Sequence, residues 1–342
     1  MTENNPLFSE FAPVSSKQWK QQIQFELKGA DYNETLVWES PEGIKVRPFY
    51  HRDEFAPAAL SDNEKAFSIC QDIFVFDLEK SAHRANDSVK RGAESIRFIV
   101  EDETIDVDKL LSGLPLENIA IFFDVDFLSP DFTAKVNKIA KDKNARIYCL
   151  VDPVGHLAKD GNWIPKSGDN FADLKSISAA SEHIGTISAD GSLYQNAGAN
   201  IVQQIAYTLA HANEYFDKIE NINKPMVLQM AVGTNYFFEI AKLRAVRSLY
   251  NLIAKEYGIT AGCHILATPS KRNKTLYDYN VNMLRTTTEC MSAVLGGADT
   301  VANLPYDAIY HKSNEFGERI SRNQLLILKH ESYFDKVLNA AD

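Results

Sequence analysis

The chain has 342 residues, 45% hydrophobic and 24% charged, enough to bury a large core and ordinary for a folded, water-soluble protein. Its formal net charge of −10 argues against a nucleic-acid groove or an anionic membrane surface, and no apolar run approaches the ~18 residues of a membrane span. The N-terminus lacks an apolar signal core, and Cys70, Cys149, Cys263 and Cys290 lie too far apart for metal ligation, so a reduced, cytoplasmic protein is expected.

Residues 1–60 read as an arm. Ser15-Ser16-Lys17-Gln18 is a cap for a short helix from Trp19 to Lys28, closed by Gly29. The turn signal Pro41-Glu42-Gly43, inside 36–50, predicts a small hairpin. A polar segment with exposed aromatics packs either on its own domain or on a neighbouring subunit.

From residue 61 onward, short apolar strands alternate with amphipathic helices. The strands are expected at Ile73–Phe76, Ser95–Val100, Ile119–Val125, Ala145–Val151, Ile184–Ser188, Val227–Val232, Cys263–Thr268 and Asp299–Asn303. Helical periodicity separates them, as at Asp106–Leu111, Phe132–Ala140, Asn235–Glu256 and Val281–Leu295, with a last helix near Phe316–His330. Eight such units over 61–342 predict an α/β fold, a (β/α)8 TIM-type barrel with an N-terminal extension. A doubly wound open sheet is the alternative, but no glycine-rich dinucleotide fingerprint follows the first strand.

A barrel keeps its chemistry at the carboxyl ends of its strands. Here those ends are Asp77, Asp124 with Asp126, Asp152, Ser188 to Leu193, Gly233-Thr234, Thr268-Pro269-Ser270 and Asn303. Carboxylates there either cap the next helix or hold a metal, and capping is the ordinary reason for Asp at such places. His264, in an apolar strand, reads as a satisfied core histidine. Lys271, Arg272 and Lys274 form a basic loop that meets either solvent or the phosphate of a cofactor. Phe237, Leu243, Val246 and Leu249 make an apolar helix face, for the core or for a subunit contact. No Gly-x-Ser-x-Gly, Walker loop or Cys-x-x-Cys is present.

Several segments, in order along the chain, resemble the barrel domain of the methylmalonyl-CoA mutase family. They are Ser40-Pro-Glu-Gly-Ile-Lys-Val-Arg-Pro-Phe-Tyr50, Leu110-Leu-Ser-Gly-Leu-Pro-Leu-Glu117, Gln195-Asn-Ala-Gly-Ala199 and Ala206-Tyr-Thr-Leu-Ala210. The likeness continues through Asn235-Tyr-Phe-Phe-Glu-Ile-Ala-Lys-Leu-Arg-Ala245, Arg285-Thr-Thr-Thr-Glu-Cys-Met-Ser-Ala-Val294 and Arg319-Ile-Ser-Arg-Asn-Gln324. The resemblance implies a barrel that threads an acyl-CoA along its axis, paired with a cobalamin-binding domain.

The departures converge on one place. Catalytic members carry Gly-Tyr-His-Met-Gln-Glu-Ala-Gly, whose histidine contacts the thioester carbonyl. Counting back from Gln195, this chain has Ser192 for the tyrosine and Leu193 for the histidine. A leucine neither donates a hydrogen bond nor moves a proton. The family's Arg-Gly-Pro-Tyr has no counterpart near Ala66–Cys70, and Leu150-Val-Asp-Pro-Val-Gly-His156 replaces Thr-Ile-Gln-Asn-Asp. Small polar residues of strand three give way to Ala120, Phe122 and Asp124, and a phenylalanine closes a narrow channel. The Asp-x-His-x-x-Gly loop of the cobalamin domain does not occur.

These losses resemble the small (beta) subunit of heterodimeric members, which keeps the barrel without the active site. The resemblance therefore implies no catalytic residues, a degenerate substrate site around Phe122, Asp124, Ser192, Leu193 and Gln195, and no metal. It implies no cofactor on this chain, adenosylcobalamin elsewhere in the complex, and the catalytic (large) subunit as partner, with self-association when isolated. The rivals are an active acyl-CoA mutase barrel whose cobalamin domain lies on another chain, and unrelated barrel chemistry built on Asp124, Asp152 and Asp190.

Overall fold

The computed structural model describes residues 8–55, 66–165, 168–220, 222–311 and 314–336. They belong to two compact units divided between residues 60 and 61, each taken by itself. In the first, helix α1 (Ser16–Glu26) starts at a reciprocal capping box between Ser15 and Gln18, the pair that the sequence marks. Asp31 caps α2 (Tyr32–Leu36), a turn with no clear sequence signal. Strands β1 (Trp38–Glu39) and β2 (Lys45–Val46) pair antiparallel around the expected turn, where Gly43 takes a φ of +77° that side chains resist. The Ser16 amide donates to Asp53, 2.9 Å, which ties the end of the unit to its first helix.

The second unit is a ring of parallel strands. They are β3 (Ser68–Phe74), β4 (Ser95–Val100), β5 (Ala120–Val125), β6 (Arg146–Leu150), β7 (Ser188–Asp190), β8 (Met226–Val232), β9 (Cys263–Pro269) and β10 (Thr300–Ala302). Returning helices cover them: α3 (Leu78–Lys90), α4 (Val107–Leu110), α5 (Pro130–Lys143), α6 (Pro153–Asp160), α7 (Asn170–Ala180), α8 (Ser192–Asn196), α9 (Ile201–Lys218), α10 (Tyr236–Glu256), α11 (Val281–Leu295) and α12 (Glu315–Leu326). The order around the sheet is β6-β5-β4-β3-β10-β9-β8-β7. Closure comes where Gly185 bridges Tyr148 and the Ser188 amide donates to the Val151 carbonyl, 3.0 Å. The fold is a (β/α)8 TIM-type barrel.

Alternation along each strand sorts the side chains into two cores. Outward residues such as Ile69, Ile73, Ile96, Phe98, Ile121 and Phe123 pack beneath the helices. Inward ones, Cys70, Ala120, Phe122, Leu150, Val227, Leu266 and Ala302, form a second cluster inside the barrel with Tyr148 against it.

Two strands differ from their sequence-based bounds. The first begins at Ser68, five residues before the expected Ile73, because Gln71 and Asp72 are strand residues with buried partners and break the apolar run. The fifth forms its ladder at Ser188–Asp190, and the apolar stretch before it contributes the single bridge at Gly185.

Candidate functional site

Aromatic and charged side chains share the barrel interior. Phe122 is fully buried and stacks on Tyr148, ring centroids 5.1 Å apart, while His264 lies 5.4 Å from both rings. The imidazole Nε2 of His264 meets the Thr300 hydroxyl at 2.9 Å, so it is the satisfied interior histidine that its strand implies. Burial lowers its proton affinity. Arg97 on β4, the register partner of Phe122, spans the barrel. It forks onto Asp72 at 2.9 and 2.5 Å and donates to Gln229 on the opposite wall at 3.1 Å. Burial opposes the guanidinium charge, but Asp72 and Asp124 outweigh it and hold the proton on.

Asp124 faces the same space with Arg97 already engaged. Burial, augmented by Asp190 and Asp72 and opposed by Arg97, pushes its carboxyl up to about 6. Asp190 is raised too, chiefly by burial, although Ser192 donates to it through its amide at 2.9 Å and its hydroxyl at 2.5 Å. The folded state thus holds a proton on Asp124 between its unfolded range near 4 and about 6. The cost of its charge is absent below pH ~4, grows as pH rises through that window and is complete above it. Asp124→Asn is expected to raise stability by ~1–3 kcal/mol at pH 7 and to leave it unchanged below pH ~4. Urea unfolding over pH 4–8 checks this, and identical pH slopes in the two proteins would refute it.

Asp152 caps α6, donating nothing and accepting from the Gly155 amide at 2.8 Å, as its position predicts. It also anchors a buried chain. Its carboxylate accepts from the Tyr215 hydroxyl and the Asp190 amide (2.7 Å) and meets His211 Nδ1 at 3.1 Å, while His211 Nε2 meets the Tyr194 hydroxyl at 2.5 Å. Burial works against the Asp152 charge, but these hydrogen bonds prevail and hold its carboxyl below the usual range. Asp77 caps α3, yet Asp124 and Asp126 cap nothing, since Ser129 performs that role for α5. Asp126 instead pairs with Lys159 at 3.5 Å on the surface.

The loop Gly191–Gly198 is held from below. Gly191 sits against Thr208 so closely that a Cβ would collide with its hydroxyl, and Gln195 is buried, accepting from the Ser270 hydroxyl at 2.8 Å. Leu193 stands partly exposed at the mouth. Of the expected site residues, Asp124 and Ser192 both lie against Asp190, the first by charge and the second by hydrogen bonds, and Phe122 and Gln195 are buried. The basic loop adjoins the Gly191–Gly198 segment, with the Lys271 amide donating to Asn196 at 3.1 Å. Lys271 and Arg272 are exposed, whereas Lys274 is buried against Glu289 at 2.6 Å and has no charge to offer a phosphate. Sequence reasoning missed Asp72, Arg97 and His211. The last had a signal: Tyr207, His211 and Tyr215 recur every four residues on α9. Among the described residues no group of three or more His, Cys, Asp or Glu side chains is placed to hold a metal, and no helix is long and apolar enough to cross a membrane.

Comparison with known proteins adds to this geometry. Residues 75–341 match the family model described as methylmalonyl-CoA mutase. The chain is 34% identical to the methylmalonyl-CoA mutase small subunit of Porphyromonas gingivalis, over 98% of this chain and 60% of that protein. It is 24% identical to the small subunit from Streptomyces virginiae, over 98% and 61%, and 24% identical to the methylmalonyl-CoA mutase of Rhizobium meliloti, over 94% and 54%. The chain thus spans about 60% of the length of the first of these relatives.

Proposed function

We propose, from the premise that this chain belongs to the methylmalonyl-CoA mutase family, that it is a non-catalytic small subunit, a scaffold for the catalytic large subunit. The complex would interconvert methylmalonyl-CoA and succinyl-CoA. The observation that carries this reading is the filled axis: the Phe122–Tyr148–His264 layer, with Arg97 fixed across it to Asp72 and Gln229. These groups occupy the interior that a thioester arm would follow, and Leu193 presents no donor to its carbonyl. The buried carboxylates Asp124 and Asp190 add an acidic mouth, unfavourable to an anionic acyl-CoA.

Adenosylcobalamin belongs, on this reading, to the partner. The residues facing the barrel here do not fit it as cobalt ligands: His211 is held between Asp152 and Tyr194, and His264 lies in the aromatic layer against Thr300. The N-terminal unit is the proposed contact element. Exposed Phe11, Phe25, Trp38 and Phe55 support that role, because aromatic side chains bring large contact area to an interface.

Titrating succinyl-CoA into the isolated chain is expected to give no binding heat, while co-expression with the large subunit of a heterodimeric mutase gives a stable complex. Saturable succinyl-CoA binding by this chain alone would overturn the scaffold reading.

A further inference from the structure

A groove of about 390 Å³ lies between α3 and α12 on the outer wall of the barrel. Arg84, Asp87 and Arg91 line it from α3, and Glu318, Arg319 and Arg322 from α12. The α3 residues step by three and four, and Arg322 follows Glu318 by four and Arg319 by three, so both helices turn side chains to one space. With Glu315 included, four arginines meet three carboxylates, and His83 stands beside them.

The pairing is uneven. Arg84 joins Glu318, and Arg91 Nε donates to the two carboxylate oxygens of Asp87 at 2.9 and 2.8 Å. Arg319 rests over the Phe316 ring, 5.3 Å from its centroid. Arg322 is only 4% exposed, yet its Nη1 donates to the neutral amide oxygen of Gln71, at 2.8 Å, and its Nε has no acceptor among the described residues. A buried guanidinium without a carboxylate is costly. Burial, with Arg91 and Arg319 nearby, pulls its proton affinity down despite Asp87.

We propose that this groove is an oxyanion site that takes the phosphate group of a small soluble ligand, with Arg322 and Arg319 as its counter-charges. Planar guanidinium forks match phosphate oxygens two at a time, and such charge-assisted bonds are the strong ones. The site is independent of the role given to the barrel axis.

The test uses inorganic phosphate, titrated into the full chain at low ionic strength and followed by 31P line broadening and by thermal melting. Saturable binding and a raised melting temperature are expected. Arg322→Gln should weaken binding about tenfold and Arg319→Gln about three- to tenfold, the loss of one charge-assisted contact each. Glu318→Gln should tighten it, because Arg84 loses its competing carboxylate. If Arg322→Gln fails to fold, the other two variants decide. Absence of saturation by about 20 mM phosphate overturns the proposal, as does equal binding by wild type and Arg319→Gln. A glutamate-rich peptide that outcompetes phosphate would instead put the counter-charge on a protein partner, and that too overturns the small-ligand site.

Discussion

Lys274→Ala is expected to destabilise the barrel by about 3–5 kcal/mol, the cost of leaving one half of a buried ion pair alone. The Lys274 side chain is 1% exposed and that of Glu289 is 0%. Lys274 Nζ donates to Glu289 at 2.6 Å, and Asn273 donates to the other carboxylate oxygen at 2.5 Å. Burial lowers the proton affinity of the lysine and raises that of the glutamate, so each charge persists only because the other is present. Removing Lys274 strands Glu289 among apolar neighbours such as Cys290, itself fully buried. A double replacement, Lys274→Met with Glu289→Leu, should recover most of the loss, since apolar groups of similar volume often replace such pairs at little cost. Chemical denaturation of the three variants measures this, and a single substitution costing under about 1 kcal/mol would refute the buried-pair account.

Lys274 also marks what the sequence conceals. In the run Lys271-Arg272-Asn273-Lys274 all the basic residues look alike, and their partner lies fifteen residues away on α11. Nothing local says which one turns inward. The barrel itself was far easier to read, because its strands are apolar on the helix-facing side regardless of what lies within. The interior was legible only in part. Phe122 in place of a small residue announced a bulky ring inside the barrel, but nothing announced the bridge of Arg97 between Asp72 and Gln229. Its members lie on three strands: pairing of β3 with β4 sets Asp72 beside Arg97, and only curling of the sheet into a ring brings Gln229 of β8 within reach. The Asp152–His211–Tyr194 chain is intermediate: the helical spacing of Tyr207, His211 and Tyr215 was visible, but not that it points at the cap of α6.

Phe122→Ala tests the filled axis directly. The ring is fully buried and stacks almost parallel to Tyr148, at an interplanar angle of 11°. Truncation removes its apolar contacts and leaves a void that the closed ring of strands relaxes around poorly, so a loss of about 3–5 kcal/mol is expected. The cavity should not become a channel. Arg97 on the neighbouring strand remains fixed to Asp72 and Gln229, and no substitution at position 122 supplies the donor that Leu193 lacks. The expected result is therefore a protein that unfolds at lower denaturant yet still gives no heat with succinyl-CoA. Were the variant to bind succinyl-CoA, a single ring would be all that separates this barrel from a substrate site, and Arg97 would have to swing away from Asp72 to let the acyl chain pass. Adding Arg97→Ala then discriminates. If Arg97 is an independent barrier, neither single variant binds and the double variant does, and the coupling between the two substitutions reads out as a departure from additivity.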